Sequence, residues 1–229
     1  MISFQQSEKE AVYKAIFNRR DIRQFLRDPI PEEAIYRILE AAHAAPSVGF
    51  MQPWNFIIID SDEKKERLAW AAEKERKALA IHYEGERETK FLSLKVEGLK
   101  DAPITICVTC DPTRGGNHVL GRNSIPETDI MSTSCAIQNM WLAAFVEGIA
   151  MGWVSFYKKS DVRDILNIPP HIEPVALLSL GYTEDYPKQP ILETANWEKR
   201  QDLTTLIFDN EWGIAKKNKI SENKEAQLK

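Results

Sequence analysis

The 229-residue chain is short of cysteine, glycine and clustered histidine, and it has no excess of positive charge. Three cysteines do not make a disulfide framework. Cys107 and Cys110 form one C-x-x-C in ITICVTCDP, but a redox dithiol normally opens a helix, where the dipole lowers a thiol pKa. Here the pair ends a strand-like run, which points to buried, inert thiols. No second pair at zinc spacing follows and the four histidines are scattered, so no metal is expected. A net charge of −4 leaves no electrostatic footprint for nucleic acid. No run reaches about 18 apolar residues, so no membrane span is expected. The opening MISFQQSEKEAVYKAIF lacks the basic start, apolar stretch and small-residue cleavage site of a signal peptide, so the expected location is cytoplasmic.

What is present suits a sizeable core, with 43 % hydrophobic residues. Residues 7–18 read as a helix capped by Ser7, with Ala11, Val12, Ala15 and Ile16 on one face. Pro31 is placed as the first residue of a second helix, whose Ala34, Ile35, Ile38, Leu39 and Ala42 fit a 3.6 period. Residues 56–60 form a β-branched strand. The charged stretch 62–100 reads as two helices, either a cover over something or a solvated face. Residues 104–109 give a second strand. The glycine-bearing connection DPTRGGNHVLGRNSIPETD is long enough to be functional. Residues 128–148 are the strongest helix, with a small-residue face of Ser132, Cys135, Ala136, Asn139, Met140, Ala143 and Ala144. GWVSFY is a third strand, SDVRDILNI a short capped helix and PVALLSLGY a fourth strand. From residue 183 the chain reads as an extended arm ending in a polar tail. Helices alternate with strands around one sheet, which gives an α/β or α+β class.

Four segments carry candidate chemistry. Arg19, Arg20 and Arg23 cluster after the first helix, and guanidinium forks match phosphate oxygens. A solvated basic patch is the plainer reading. Asp21 sits among these arginines, which should favour its ionised form, as a structural partner or a positioned base. In AAPSVGFMQPWNF, Ser47 and Gln52 offer polar groups, Gly49 permits close backbone approach, and Phe50, Met51 and Trp54 offer an apolar wall. That loop suits a flat, polar-edged heterocycle or a core plug. In GIAMGWVSFY, Ser155 would share a strand face with Trp153. No G-x-S-x-G elbow is present, so Ser155 reads as a hydrogen-bonding group or an ordinary strand serine. Arg200 lies in the C-terminal arm, as a second phosphate contact or a surface charge.

In this order, RRDIR (19–23), PSVGFMQPW (46–54), the long central helix and the late Arg200 resemble the nitroreductase-like flavoprotein superfamily. The resemblance covers roughly residues 8–213. It implies an α+β sandwich with a mixed, mainly antiparallel sheet, an obligate homodimer and FMN at the dimer interface. Asp21 replaces the usual serine of the arginine motif, and the asparagine expected in the second motif is missing. With GWVSFY, these departures are similar to the 5,6-dimethylbenzimidazole synthase branch. That likeness implies reduced FMN as substrate and O2 as co-substrate. The flavin would be fragmented to 5,6-dimethylbenzimidazole and erythrose 4-phosphate, with a flavin reductase or similar donor supplying it reduced. It further implies Asp21 and Ser155 as catalytic candidates. Arg19, Arg20, Arg23 and Arg200 would serve the phosphate and ribityl end, Ser47 and Gln52 would reach over from the partner subunit, Met51 and Trp54 would pack the site, and Trp153 and Val154 would border the flavin. One domain is expected over 1–213, with 62–122 as a lid or insertion and 214–229 as a disordered tail. An NAD(P)H-dependent nitroreductase or flavin reductase and a non-catalytic flavin carrier are the alternatives.

Overall fold

Aromatic and β-branched side chains in WNFIII make a pleated, two-sided surface, and they form β1 (Trp54–Ile59), which begins two residues before the expected run. In the computed structural model, which describes residues 3–95 and 97–216, β1 pairs with β2 (Ile104–Cys110), β2 with β4 (Glu173–Gly181), and β4 with β3 (Ala150–Val154). Every ladder in the order β1-β2-β4-β3 is antiparallel. Beside the sheet, Asp21 and Met151 form a single parallel bridge.

Strand alternation sends side chains into two cores. Trp54, Ile106, Val108, Leu178 and Met151 face α2 (Glu32–His43) and α5 (Thr128–Val146). Ile59, Cys107, Leu177 and Val154 face α3 (Asp62–Ala80) and α6 (Lys159–Leu166). The result is an α+β sandwich of helices on both faces of the sheet. In α2, Ala34, Ile35, Ile38 and Ala42 are all buried, as their period requires. Ala136, Ile137, Met140 and Ala144 of α5 have no exposed surface, and the two alanines leave room for α2 to approach closely. Pro31 is the residue before α2 rather than its first turn. Cys107 and Cys110 are buried and free, and burial pushes the Cys107 thiol up to about 12, far from a redox poise.

Several helices differ from the expectation at their ends. In α1 (Gln6–Asn18) the cap is Gln5, not Ser7: the Gln5 amide donates to the Glu8 carboxylate at 2.6 Å, and this reciprocal box moves the start upstream. Only Ala15 of the expected apolar face is buried, while Val12 and Ile16 are 52 % and 42 % exposed. In α6 no side chain caps the start, and Asn167 closes the end in the left-handed region. Within 62–122, α3 buries Leu68, Ala69, Ala71 and Ala72 and so is a core layer. A shorter helix, α4 (Glu86–Ser93), follows it.

By packing, the chain divides into units Met1–Lys188 and Gln189–Lys229. In the second, the expected arm carries one helical turn, α7 (Ile191–Thr194), and a 3-10 turn at Leu203–Leu206. Of the expected tail, 217–229 lies outside the described residues. No helix among the described residues is long and apolar enough to cross a membrane.

The backbone after α1 lies directly on β3. The Ile22 amide donates to the Met151 carbonyl at 3.1 Å, and a Cβ on Gly152 would sit 2.0 Å from the Ile22 carbonyl oxygen. Glycine is therefore required by close approach here. Gly152→Ala must push residues 21–23 off the strand, and forced repacking of this kind costs about 1–3 kcal/mol. Chemical denaturation should show a lowered midpoint, and an unchanged midpoint would contradict this contact.

Candidate active site

The turn after α1 brings Arg19, Asp21 and Arg23 to the end of β3. Asp21 accepts a hydrogen bond from the Trp153 amide at 2.8 Å and pairs with the Arg23 guanidinium. Arg23 also donates to the Trp153 carbonyl at 2.7 Å, so Asp21 and Arg23 grip the two sides of one peptide residue. Burial raises the Asp21 carboxyl above the ordinary value of 3.8, outweighing Arg23, the Trp153 amide and Arg19. The expectation that the arginines would dominate its titration is corrected on this point. The Asp21 side chain keeps 41 % of its surface open. It is thus fixed by one amide and one guanidinium yet reachable from outside.

The arginines differ in how far they are committed. Arg20 gives its donors to the carbonyls of Phe17, Arg19 and Lys188, and its amide donates to the Tyr186 hydroxyl. It is largely a clamp on the chain. The Arg19 guanidinium lies 4.7 Å from the centre of the Trp141 ring. Buried Arg19 Nε, Arg20 Nε and Arg23 Nη1 have no hydrogen-bond partner among the described residues. Arg19 Nε is thus an orphan guanidinium donor beside the Trp141 ring, a setting that suits an oxyanion. A phosphate-bearing group fits it.

β3 ends at Val154, so Ser155 is exposed just beyond the strand and does not share a strand face with Trp153. The Val154 side chain points the other way, fully buried against α3 and α6, so only its backbone is available to a ligand at this edge. Trp153 is half-buried, its ring 6.4 Å from that of Trp141.

The 44–56 loop proves to be both plug and edge. Met51 and Trp54 are buried, and the Trp54 indole donates to His43 Nδ1 at 3.1 Å. Phe50 instead is 80 % exposed. Gly49, Phe50 and Gln52 all have positive φ. The Ser47 hydroxyl accepts from the Gln52 amide at 3.0 Å, and the Val48 amide donates to the Ser132 hydroxyl at 3.2 Å, which pins the loop to α5. A Cβ on Gly49 would meet Val119 at 2.5 Å, so the 111–127 connection lies on top. A cleft of about 530 Å³ opens beside the loop, with Tyr36, His43, Gln52, Trp54 and Arg114 among its walls.

These two groups do not converge within one chain. Val48 binds α5 at Ser132 and Arg19 binds it at Trp141. Those positions are about two and a half turns apart, on opposite sides of the helix. Arg200 is exposed in the second unit.

Three features of the site were missed in the sequence. Arg122 is a hub: it donates to Asp129 at 2.8 Å, to the Gly116 carbonyl at 2.9 Å and to the Arg114 carbonyl at 2.7 Å, with Met51 Sδ 3.1 Å away. Arg114 itself donates to the Gln52 and Trp54 carbonyls, both at 2.9 Å. Trp141 is the third. The available signal for the first two was a pair of arginines inside a glycine-bearing connection, where a charge needs a partner to be held.

A model of the nitroreductase family matches residues 16–182. The chain belongs to the nitroreductase family. It is 36 % identical to a 5,6-dimethylbenzimidazole synthase of Rhodospirillum rubrum over 80 % of this chain and 87 % of that protein. It is 34 % identical to one of Rhodobacter capsulatus, over 86 % and 96 % respectively. Among solved structures, a BluB-like flavoprotein from Clostridium difficile 630 matches with a TM-score of 0.67 and 19 % identity, covering 87 % of this chain and 99 % of that one. Iodotyrosine deiodinase bound to FMN and 3-iodo-L-tyrosine matches at 0.67 and 22 %, covering 78 % and 94 %. The expected sandwich fold is therefore that of the family.

Arg122 and Asp129 keep only 11 % and 9 % of their side-chain surface exposed. Removing one member of such a pair strands a buried charge and costs about 3–5 kcal/mol. Arg122→Met should lower the melting temperature and open residues 111–127 to limited proteolysis. Wild-type melting with no new cleavage would contradict the hub.

Proposed function

We propose that this protein is a 5,6-dimethylbenzimidazole synthase, which consumes reduced FMN and O2 and yields 5,6-dimethylbenzimidazole and D-erythrose 4-phosphate. The observation that carries the reading is Asp21: an acid in the arginine motif, locked to the Trp153 amide and Arg23, with a raised pKa and an open face. A hydride-transferring flavoenzyme has no evident use for a base there. Breaking a ribityl carbon chain requires protons to be moved. The similarity to proteins named as synthases supports the same reading.

The flavin supplies the redox chemistry and the carbon skeleton. Arg19, whose buried Nε has no partner among the described residues, holds the phosphate and ribityl end, with the Arg23 charge beside Asp21. Arg20 keeps their backbone in place, and Arg200 is a further phosphate candidate. Asp21 takes and returns protons at the ribityl hydroxyls through the exposed face of its carboxylate. Trp153 lies along the ring, and exposed Ser155 offers a hydroxyl at the same edge. Ser47 and Gln52 come from a second copy of the chain. The opposite faces of α5 that the two groups occupy support this, because a homodimer brings the loop of one protomer to the arginines of the other. The 111–127 connection covers the loop and keeps water from the reacting ring. A flavin reductase supplies reduced FMN, and the setting is cytoplasmic.

The second reading is an NAD(P)H nitroreductase, favoured by 31 % identity to a putative NADH dehydrogenase/NAD(P)H nitroreductase of Methanothermobacter thermautotrophicus. Aerobic incubation with reduced FMN, followed by mass spectrometry, separates the two. The expected product is 5,6-dimethylbenzimidazole, and Asp21→Asn should lower its rate by about 10²–10⁴ while FMN still binds. Recovery of intact FMN with fast NADPH-driven reduction of a nitroaromatic would sink the synthase reading.

A further inference from the structure

Three buried polar atoms form a set that the proposed mechanism does not use. Thr105 Oγ1, Ser179 Oγ and Arg23 Nη1 have no hydrogen-bond partner among the described residues. Thr105 and Ser179 have no exposed surface at all. The sheet register makes them neighbours, since Ser179 pairs with Thr105 on one side and with Gly152 on the other. Directly opposed residues of antiparallel strands point to one face, with Cβ atoms about 4.5–5.5 Å apart. That face is the one turned to α3 and α6, where Cys107 and Leu177 also point. At the end of the row Gly152 has no side chain, and residues 22–23 cross the space it leaves. Arg23 Nη1 lies 3.4 Å from the position a Gly152 Cβ would take. One charged donor and two hydroxyls are therefore aligned beneath the segment that carries Asp21.

Buried hydroxyls and guanidinium donors in native proteins are satisfied by protein or by internal water, and a water settles where two to four polar partners converge. We propose that Thr105, Ser179 and Arg23 Nη1 enclose a bound water, and that the two hydroxyls act through it as positioning residues for the Arg23–Asp21 pair. The water accepts from Arg23 Nη1 and exchanges hydrogen bonds with the hydroxyls, each of which can donate or accept. Arg23 is then held from both ends of its fork: Nη2 on Asp21 and the Trp153 carbonyl, Nη1 on the water. Besides Arg23, the groups acting on the Asp21 carboxylate are the Arg19 charge and the Trp153 amide, and neither touches the water. A loosened Arg23 therefore weakens the largest attraction on that carboxylate. The inference rests on the proposed role of Asp21 only for its effect on turnover, and its test uses none.

Thr105→Val and Ser179→Ala each remove one hydroxyl, whereas Thr105→Ser keeps it. The measurements are a high-resolution crystal structure of the wild type, melting temperatures, and the Asp21 carboxyl titration followed by carbon-13 NMR. The expected results are an ordered water within hydrogen-bond reach of Arg23 Nη1 and Ser179 Oγ, a lower melting temperature in Thr105→Val and Ser179→Ala, and an upward shift of the Asp21 midpoint in both. Thr105→Ser should match the wild type in its titration. A dry row would overturn the proposal. So would a higher melting temperature in Thr105→Val, because replacing an unsatisfied hydroxyl by a methyl is stabilising. Lower melting with an unmoved Asp21 midpoint would leave the hydroxyls a purely structural role and refute the positioning.

Discussion

The site depends on one close crossing, the backbone of residues 21–23 lying on β3 at Gly152. The crossing sets Asp21 opposite Met151, so its carboxylate reaches the Trp153 amide, and it sets Arg23 where one nitrogen serves both that carboxylate and the Trp153 carbonyl. It is possible only because position 152 has no side chain. Beyond the crossing, Phe25 packs over Gly181 and Gly98, and the Leu26 amide donates to the Tyr182 carbonyl at 2.8 Å. The chain between α1 and α2 is thus a strap over the sheet, tied at β3 and at the end of β4. Its charged residues are placed by strand geometry, which holds a carboxylate more firmly than a free loop does.

The second constraint is α5. This helix is the partition of the molecule, buried along most of its length, with α2 packed on it and the sheet beneath. It carries the Arg19–Trp141 contact on one side and the Val48–Ser132 contact on the other. A helix about 10–12 Å across cannot be bridged by short side chains. The arginine motif and the 44–56 loop therefore face different directions, which supports the proposed site shared between two copies of the chain. The exposed side chains of α1, Val12, Tyr13, Ile16 and Phe17, are in keeping with such a partner.

Much of this was legible in the sequence. The 3.6 period of α2 predicted its buried face, the small residues of α5 predicted tight packing in a core, and four strands were expected. RRDIR predicted an acid among arginines with one of them as its structural partner, and Asp21 does pair with Arg23. Other features were not legible, for identifiable reasons. Whether burial or arginine charge governs Asp21 depends on the depth of the crossing over β3, and spacing along the chain does not encode depth. Ser155 was placed on a strand face because apolar alternation continues through GWVSFY, but pairing with β4 ends at Val154. Val154 was drawn into the site by its neighbours although its side chain belongs to the opposite core. Arg122 and Asp129 meet only because the 111–127 connection folds back on itself, which no local pattern announces. The sequence also gave no hint that Phe50, rather than Met51 or Trp54, is the apolar residue left exposed on the loop.

The central claim is that a working site takes its arginines and Asp21 from one protomer and its 44–56 loop from another. The most direct test mixes subunits. Asp21→Asn and Ser47→Ala/Gln52→Ala proteins are each made, then unfolded together and refolded, and benzimidazole formation from reduced FMN is measured. If the halves come from different protomers, each parent is impaired, while half of the mixed population consists of dimers with one intact site. Activity should then return to about a quarter of wild type. If each chain supplies its own complete site, no protomer in the mixture is intact, and activity would stay at the level of the two parents.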